Sequence, residues 1–239
     1  MLQHTPTTQN HTQPFLSEFD TALFERPVFK YQNVQGYRES QKISGSFVYL
    51  TTPYNTDIFL KAYHQAFSFL GSYVLYELPS AYKIEEQEYL YSIQTAANNR
   101  EQRALVEIGA STLHSVSHYY HNSFTQDKSL ELYQRWIYNS FNGYADHYAF
   151  IKLEHEIAGF ITFKLKQDIL YIDLLAVNTL MRSRGIGKAL INYAIEYARV
   201  QKQSLKVRTQ ADNIPANRLY QKEGFRVVAS EYLFFKVEQ

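Results

Sequence analysis

The chain has 239 residues, 45% of them hydrophobic and 20% charged, so it is long enough to bury a core in one large domain or two small ones. Lys and Arg number 24 against 23 Asp and Glu, and the formal net charge of +1 argues against binding nucleic acid or an anionic membrane surface through bulk charge. Because cysteine is absent, the sequence excludes a thiol nucleophile, a disulfide framework and a cysteine-ligated zinc site.

The first residues, 1–13, are polar and lack a basic start followed by an apolar run. They predict a disordered terminus rather than a secretory signal. No window of the chain approaches 18 consecutive apolar residues. We therefore expect no transmembrane helix, no membrane insertion and a cytoplasmic location.

The next segment contains one strand, helix, strand unit. A β-rich run at 46–51 precedes Asn55, which can cap a helix that ends at Gly71. A second β-rich run follows at 72–78, and the polar residues 79–88 resemble a linker. We predict three parts, namely the disordered terminus 1–13, a smaller N-terminal α/β domain over 14–86 and a larger C-terminal domain over 87–239.

The C-terminal part predicts a mixed α+β domain. A strand at 89–95 is followed by two helices, one capped by Asn98 or Asn99 and one capped by Asp127. An antiparallel meander of three strands then leads through a glycine-containing loop into a parallel crossover. The two helices are predicted to end at about 115 and 141, and the meander strands to cover 148–153, 157–165 and 169–177. After the loop, the sequence predicts a helix over 186–201, a strand over 205–209, a helix over 215–222 and a β-rich tail at 226–237.

Between the third meander strand and the following helix lies the segment Arg182-Ser-Arg-Gly-Ile-Gly-Lys188. A helix start presents unpaired backbone N–H groups and a partial positive charge, and glycines let a phosphate approach that backbone. The segment therefore predicts a pyrophosphate site. It is not a Walker loop, because the chain lacks Gly-x-x-x-x-Gly-Lys-Ser/Thr, and Leu190 stands where a dinucleotide fold would place its third glycine.

This segment resembles the acyl-CoA-binding motif of the GNAT superfamily of N-acyltransferases. A second segment, from Asn213 to Phe225, is similar to the family pattern Asn-x-x-Ala-x-x-Leu-Tyr-x-x-x-Gly-Phe at the same spacing. The resemblance covers about residues 89–237. It implies the GNAT fold, a mixed and mostly antiparallel sheet flanked by helices, with acyl-CoA (acetyl-CoA or a short hydroxyacyl-CoA) as co-substrate and no metal.

The same resemblance implies how acyl-CoA binds. The strand that ends at Val177 separates from the next strand, so that pantetheine pairs with the backbone of Leu175 and Val177. The pyrophosphate lies on the amides of residues 184–188. The implied cofactor-binding residues are Leu175, Ala176, Val177, Arg182, Ser183, Arg184, Gly185, Ile186, Gly187, Lys188, Asn213 and Asn217.

For catalysis, the resemblance assigns Tyr220 as the general acid that protonates the departing thiolate. The oxyanion is expected to be held by the backbone N–H of Val177. By period-two alternation, Asp173 shares a strand face with Leu175 and Val177, which allows it to act as a base on the amine, directly or through water. A solvated or salt-bridged strand carboxylate is the other interpretation.

His114, His118 and His121 stand at i, i+4 and i+7, a spacing that can form a metal site. Because the helical pattern breaks there, a substrate-contacting loop is the better interpretation, and no metal is expected. We expect three residues to contact substrate by stacking on a base or lining a sugar pocket, or else to form a subunit interface: His118, Tyr119 and Trp136.

The N-terminal extension, the run 132–140 and the two motifs together resemble the dTDP-fucosamine acetyltransferase family. That resemblance implies N-acylation of the 3- or 4-amino group of a dTDP-linked amino-dideoxyhexose for a bacterial surface polysaccharide, either lipopolysaccharide or capsule. It also implies that the N-terminal unit is a truncated second GNAT half, although an unrelated α/β cap is the alternative. The acyl group is acetyl or a larger chain such as 3-hydroxybutyryl, and we expect a homodimer with no nucleic-acid partner.

Two other functions stay open. The first is a GNAT enzyme that acts on another amine, such as a protein N-terminus, a polyamine or an antibiotic. The second is a non-catalytic acyl-CoA-binding protein, which the presence of Tyr220 disfavours.

Overall fold

The computed structural model describes residues 15–39, 42–82 and 90–239. The predicted disordered terminus, 1–13, and most of the predicted linker, 79–88, lie outside these ranges. The strands of the described residues are β1 (Phe15–Leu16), β2 (Val28–Tyr31), β3 (Phe47–Pro53), β4 (Ser68–Glu77), β5 (Ile93–Gln94), β6 (His147–Leu153), β7 (Glu156–Lys166), β8 (Ile169–Val177), β9 (Ser204–Gln210) and β10 (Arg226–Val237).

The helices of the same ranges are α1 (Glu18–Phe24), α2 (Val34–Glu39), α3 (Thr56–His64), α4 (Asn99–Leu113), α5 (His118–His121), α6 (Ser129–Asn139), α7 (Ile186–Val200) and α8 (Ile214–Lys222). Short 3₁₀ turns occupy His114–Val116, Gln126–Lys128 and Thr179–Met181, and a π-helical turn occupies Ser140–Tyr144. None of the helices in the described ranges has the length and apolar character needed to cross a bilayer.

Two predicted helix starts are confirmed by their caps. The Asn55 side chain accepts a hydrogen bond from the Ile58 amide at 3.1 Å at the start of α3. At the start of α4, the Asn98 side chain accepts from the Glu101 amide at 3.0 Å, and the Glu101 carboxylate accepts from the Asn98 amide at 2.9 Å. These reciprocal bonds form a capping box, which satisfies backbone donors that the helix itself leaves unpaired.

Other predicted bounds are wrong. Helix α3 ends at His64 rather than at Gly71, because Ala66 takes a left-handed backbone (φ 60°) and its amide bonds back to the Tyr63 carbonyl. The buried Phe67 follows this reversal, and Gly71 then lies inside β4. Of the strand predicted over 89–95, only β5 (Ile93–Gln94) forms among the described residues. The helix predicted to start at Asp127 begins two residues later, at Ser129, after a 3₁₀ turn.

The strands form one sheet in the order β1-β2-β3-β10-β4-β9-β8-β7-β6-β5. Strand β4 belongs to the predicted N-terminal domain, yet it lies between β10 and β9 of the predicted C-terminal domain and is antiparallel to both. The sheet is therefore continuous across the two predicted domains, whose boundary near residue 86 falls outside the described residues. That the N-terminal unit is a truncated second GNAT half stays a prediction.

Helices cover both faces of the C-terminal part of the sheet. On one face, α4 and α6 pack against Phe160 of β7 through Leu105 and Ile137. On the other face, α7 and α8 pack with Ile161 of β7 through residues that include Leu190. Because Phe160 and Ile161 are consecutive strand residues, they point to opposite sides of the sheet, and the two helix pairs sandwich it.

Strands β8 and β9 separate partway along their length. Their parallel pairing runs from Ile169 with Ser204 to Ile172 with Val207 and then stops. Strand β8 continues to Val177 and β9 to Gln210, while β9 stays paired with β4 on its other side. The separation that the family resemblance implied is therefore present, and it opens a gap in the sheet between α6 and α8.

Close packing of α4 provides a test of this architecture. A Cβ added at Gly109 would lie 2.6 Å from Cζ of Phe160 and 2.7 Å from Cδ1 of Ile137. A Gly to Ala change inside a helix ordinarily stabilises by about 1 kcal/mol, but overpacking costs about 1 to 3 kcal/mol. We expect Gly109→Ala to lower the free energy of unfolding, measured by urea denaturation. The matched control is Glu107→Ala at an exposed position of α4, which should alter the free energy of unfolding by less than about 0.5 kcal/mol. A Gly109→Ala protein at least as stable as the wild type would contradict the packing.

Candidate active site

Two cavities meet at the gap between β8 and β9. The first, which we call the loop-side cleft, has a volume of about 510 Å³ and lies between the glycine loop, the end of β8 and the start of α8. The second, the central cavity, has a volume of about 300 Å³ and extends toward the N-terminal strands. The two adjoin each other, because the same five residues line both: Leu113, Val116, Leu175, Asn213 and Ala216.

The glycine loop presents the start of α7 to the loop-side cleft. Ser183 and Gly185 both have left-handed backbones, with φ of 63° and 82°, and Gly185 is the residue that precedes the first helical turn. Gly187 in that turn lies close to α8, where an added Cβ would be 3.2 Å from Cδ2 of Leu219. The open amides of the first turn of α7 face a cleft of the kind that binds a phosphate.

Most of the predicted cofactor-binding residues line this cleft. Four do not: the Ala176 side chain is buried among the α4 and α6 residues, and Arg184, Lys188 and Asn217 are not part of the lining. The residues of the predicted set that do line the cleft are Leu175, Val177, Arg182, Ser183, Gly185, Ile186, Gly187 and Asn213.

Asn217 lies behind the cleft and lines neither cavity. Its side-chain amide donates to the backbone carbonyls of Gln210, Ala211 and Asn213 at 2.9 to 3.1 Å. Its side-chain oxygen accepts a hydrogen bond from the Tyr76 hydroxyl at 2.8 Å. The side chain thus holds the turn between β9 and α8 and ties it to β4. Its predicted contact with CoA stays a prediction.

Tyr220 projects from α8 into the wall of the central cavity. Its ring packs against Tyr76 and Phe225, each with ring centroids 5.8 Å away, and the residue is 4% exposed. Burial raises the pKa of the Tyr220 hydroxyl above its ordinary value. The hydroxyl is therefore protonated at neutral pH and available as a donor.

Asp173 forms a β-bulge at the mouth of the gap. On β7, Thr162 pairs with Leu174 and Phe163 pairs with Ile172, so Asp173 has no partner in this strand pair. The side-chain hydroxyl of Thr162 accepts a hydrogen bond from the Leu174 amide at 3.1 Å and completes the interrupted ladder. A bulge inserts one extra residue and re-aims the side chains that follow it.

The bulge makes the predicted face of Asp173 wrong. Leu175 and Val177 pack toward the α7 side of the sheet, whereas Asp173 accepts a hydrogen bond from Nε1 of Trp136 on α6 at 3.2 Å. Strict alternation fails because the extra residue resets the pattern. Asp173 lines the central cavity on the α6 side of the sheet, and Tyr220 enters from the α8 side.

The charge state of Asp173 is shifted by its surroundings. Burial raises its pKa from 3.8 to about 6, against the opposing effects of the Trp136 hydrogen bond and the nearby Lys166 and Lys164. Burial also lowers the pKa of Lys166 from 10.5 to about 8, although Asp173 acts in the opposite direction. A carboxylate and an ammonium that titrate this close to neutrality in one cavity are typical of functional sites.

Aromatic side chains form the wall opposite the sheet. Nδ1 of His118 lies 2.9 Å from the Tyr73 hydroxyl, and the His118 ring lies against Tyr119 with centroids 4.0 Å apart. Trp136 stacks on Tyr133 with centroids 5.6 Å apart. Burial raises the pKa of Tyr73 to about 12. The three predicted substrate contacts, His118, Tyr119 and Trp136, are thus brought together in the central cavity.

The three histidines of the 114–121 segment do not converge. His118 lines the central cavity, His121 lines the loop-side cleft, and His114 lines neither. Across residues 15–39, 42–82 and 90–239, no three or more His, Cys, Asp or Glu side chains lie together as a metal site would require.

Several cavity residues were not predicted from the sequence. The N-terminal segment contributes Lys30, Tyr49, Thr51 and Tyr73, which no motif connects with the glycine loop. Lys164 and Lys166 on β7 stand two positions apart, so they share a strand face. This spacing was the one feature of the sequence that indicated a basic pair on one side of the sheet. No feature of the sequence indicated that Arg208 and Tyr133 line the cavity.

Replacing Asp173 tests its electrostatic surroundings independently of activity. The pKa of Asp173 is about 6 in the folded protein, whereas the ordinary value, taken for the unfolded chain, is 3.8. The folded state therefore loses stability as the pH rises from about 4 through about 6, where Asp173 ionises. We expect Asp173→Asn to raise the free energy of unfolding at pH 7, by at most about 3 kcal/mol, and to leave it unchanged below about pH 4. Urea denaturation at both pH values measures this, with the exposed Asp127→Asn as the matched control. A variant less stable than the wild type at pH 7, or an equal gain at both pH values, would contradict the assignment.

Comparison with known proteins supports the sequence resemblance. Residues 113–225 match the profile described as "Acetyltransferase (GNAT) family". Spore coat polysaccharide biosynthesis protein SpsD of Bacillus subtilis (strain 168) is 26% identical over 132 residues, 55% of this chain and 46% of that protein. The uncharacterized protein YxbD of the same strain is 31% identical over 83 residues, 34% of this chain and 51% of that protein. The chain therefore spans about half the length of the curated relatives it matches.

Solved structures show a similar fold. A functionally unknown conserved protein from Staphylococcus epidermidis ATCC 12228 has a TM-score of 0.61 at 12% identity, over 99% of this chain and 95% of that one. A GCN5-related N-acetyltransferase from Sphaerobacter thermophilus has a TM-score of 0.57 at 15% identity, over 82% of this chain and 61% of that one. Profile and fold agree with the two motifs: residues 113–225 match the GNAT acetyltransferase family, and the sheet has the fold of solved members of that family.

Proposed function

We propose that the protein transfers a short acyl group from acyl-CoA to the 3- or 4-amino group of a dTDP-linked amino-dideoxyhexose. The observation that carries this proposal is that the loop-side cleft adjoins the central cavity at the gap between β8 and β9. One cleft has the features of a phosphate site, and the other has a donor, Tyr220, and a carboxylate, Asp173, on its walls. An acyl-CoA and an amine can therefore meet in the gap.

The loop-side cleft fits acyl-CoA. The amides at the start of α7 suit its pyrophosphate, with Arg182 adding positive charge beside them. Beyond the last β8–β9 pair, the backbone of Leu175 and Val177 is not paired with β9, so it can bind the pantetheine amides as an added strand would. In this proposal the thioester lies near the five residues that line both cavities.

The reaction requires a neutral amine and a path for its proton. An amine on a sugar ring has a pKa near 8, so the neutral form costs only about 1 kcal/mol at pH 7. The amine nitrogen forms a bond to the thioester carbon, and its proton passes to the Asp173 carboxylate directly or through water. With a pKa of about 6, Asp173 is mostly ionised at pH 7 and can accept that proton.

Collapse of the tetrahedral intermediate breaks the carbon–sulfur bond. The backbone N–H of Val177 is our candidate donor to the oxyanion, and one such donor contributes about 3 kcal/mol. The Tyr220 hydroxyl, which burial keeps protonated, transfers its proton to the departing thiolate. Orientation of the two reactants across the gap contributes more than either group, about 7 to 11 kcal/mol in favourable cases.

A sugar acceptor is supported from two directions. The similar protein SpsD is described as a spore coat polysaccharide biosynthesis protein. The central cavity has an aromatic lining that includes Tyr73, Tyr133 and Trp136, and such rings suit a sugar or a thymine base. A polyamine acceptor is disfavoured because several cationic side chains line the same cavity. The cytoplasmic location belongs to this proposal, since both proposed substrates are cytoplasmic metabolites. The homodimer stays a separate prediction.

The proposed activity is tested by thiol release. Incubation with acetyl-CoA or 3-hydroxybutyryl-CoA and a panel of dTDP-linked 3- and 4-amino-dideoxyhexoses should release free CoA, and the product sugar should gain the acyl mass. The matched control is a dTDP-hexose with a hydroxyl at the same carbon, which lacks the nucleophile. Thiol release that never exceeds this control, with any acyl donor and any amino sugar, would refute the proposal.

Tyr220→Phe tests the acid. Because it removes only the hydroxyl, we expect kcat to fall about 100-fold or more, whereas the dissociation constant for CoA should change less than about twofold. Tyr197→Phe is the control, since Tyr197 lies on α7 and lines neither the central cavity nor the loop-side cleft. An unchanged kcat would remove Tyr220 from the mechanism, and loss of CoA binding would assign it to the cofactor site instead.

A further inference from the structure

The central cavity contains a basic cluster that neither motif explains. Lys164 and Lys166 of β7 and Arg208 of β9 all line it. We propose that these three side chains form an anion subsite that binds the diphosphate of a nucleotide-linked acceptor. This inference rests on the proposed function in one respect, namely that the amine is delivered on a nucleoside diphosphate.

The strand register places the three side chains on one face of the sheet. Lys164 pairs with Tyr171 of β8, and Tyr171 pairs with Lys206 of β9. Cross-strand partners share a face, as do residues two positions apart on one strand. Lys166 therefore lies beside Lys164, and Arg208 lies on the same side as Lys206, just beyond the point where β8 and β9 separate. The cluster borders the gap in which acyl transfer would take place.

The charged side chains that line the cavity are mostly cationic. They are Lys30, Lys164, Lys166 and Arg208, against a single carboxylate, Asp173. Lys30 also forms an ion pair with Asp20, which is not part of the lining. A cationic surface of this kind attracts phosphate groups and repels polyamines. Because the bulge brings Asp173 to the same face of the cavity, an acceptor held by its diphosphate can direct its amine toward that carboxylate.

Carboxylates outside the lining hold the cations in place. Asp146 lies 3.1 Å from Nζ of Lys164, and Glu231 lies 3.1 Å from Nε of Arg208. The Arg208 guanidinium also lies over the Tyr73 ring, 3.7 Å from its centroid. The Glu231 contact is an ion pair only, because Nε of Arg208 has no hydrogen-bond partner among the described residues. A guanidinium can bind phosphate oxygens in a paired geometry, so Arg208 is suited to a phosphate ligand.

Lys166 differs from the other two in its environment. Burial lowers its pKa to about 8, and Lys164 and Arg208 act in the same direction. Asp173 acts in the opposite direction, and Lys166 remains mostly protonated at pH 7. A diphosphate bound beside it would favour the charged form, so we expect Lys166 to contribute to binding.

The test uses dTDP as the probe and needs no catalysis. Equilibrium dialysis of the full chain measures the dissociation constant, and Trp136, the single tryptophan, reports the place of binding because it lines the central cavity. We expect dTDP to change the Trp136 emission and to bind more weakly as the salt concentration rises. Binding should persist when the protein is first saturated with CoA, which distinguishes this subsite from the pyrophosphate site at the start of α7. Displacement of dTDP by CoA would overturn the proposal.

Charge-removing variants identify the subsite. Lys166→Gln and Arg208→Gln should each weaken dTDP binding at least tenfold, with unchanged circular dichroism and unchanged CoA affinity. Lys206→Gln is the matched control, because Lys206 lies on β9 two residues from Arg208, pairs with Glu77 at 3.6 Å and does not line the central cavity. It should bind dTDP within twofold of the wild type. Equal binding by all three variants, or no binding by the wild type, would overturn the proposal.

The outcome is separable from that of the proposed function. If dTDP binds as expected but no amino sugar supports thiol release, the subsite stands and the acyl-transfer proposal fails. If acyl transfer proceeds while dTDP neither binds nor competes, the subsite alone fails.

Discussion

The separation of β8 from β9 after the Ile172–Val207 pair is the constraint on which the candidate site depends. Two features enforce it. The bulge at Asp173 breaks the regular ladder of β8 with β7, and β4 keeps β9 paired as far as Gln210 on the other side. Since β4 comes from the N-terminal segment, that segment forms one wall of the gap. The glycine loop alone would provide a phosphate site, but the position of β9 depends on a strand more than a hundred residues earlier in the sequence.

The bulge also places the Asp173 carboxylate, whose ionised form is unfavourable, in the lining of the central cavity. A carboxylate buried beside Trp136 has a raised pKa, so its ionised form destabilises the fold at neutral pH. The Thr162 hydroxyl compensates part of the interrupted backbone pairing, and Lys166 and Lys164 offset part of the charge. The proposed acid and base functions are compatible with these shifts, since Asp173 can accept a proton at pH 7 while Tyr220 retains its own.

Patterns among neighbouring residues predicted much of the fold. The errors arose where the structure depends on contacts between distant segments of the chain. The caps at Asn55 and Asn98 and the bounds of β8 follow from residues that are neighbours in sequence. The glycine loop and Tyr220 were found through motifs. The insertion of β4 between β10 and β9 has no such local signature, because strand pairing between distant segments leaves no fixed spacing. The bulge was missed for a related reason: the 169–177 run is apolar at every position except Asp173, so the sequence shows no break in register, and the extra residue appears only against β7.

A near-neutral composition does not reveal how charges are arranged around the two proposed anion sites. The formal charge of +1 argues against a surface that works by bulk electrostatics, but it is a sum and carries no positions. In the central cavity, Lys164 and Arg208 face inward while Asp146 and Glu231 stand behind them, so the pairs cancel in a sum over residues. A ligand in the cavity meets mainly the inner members of each pair, because screening and distance weaken the outer ones. An enzyme that must hold a CoA and a second phosphorylated substrate can therefore keep a small net charge, provided that its carboxylates position its cations from outside the cavity.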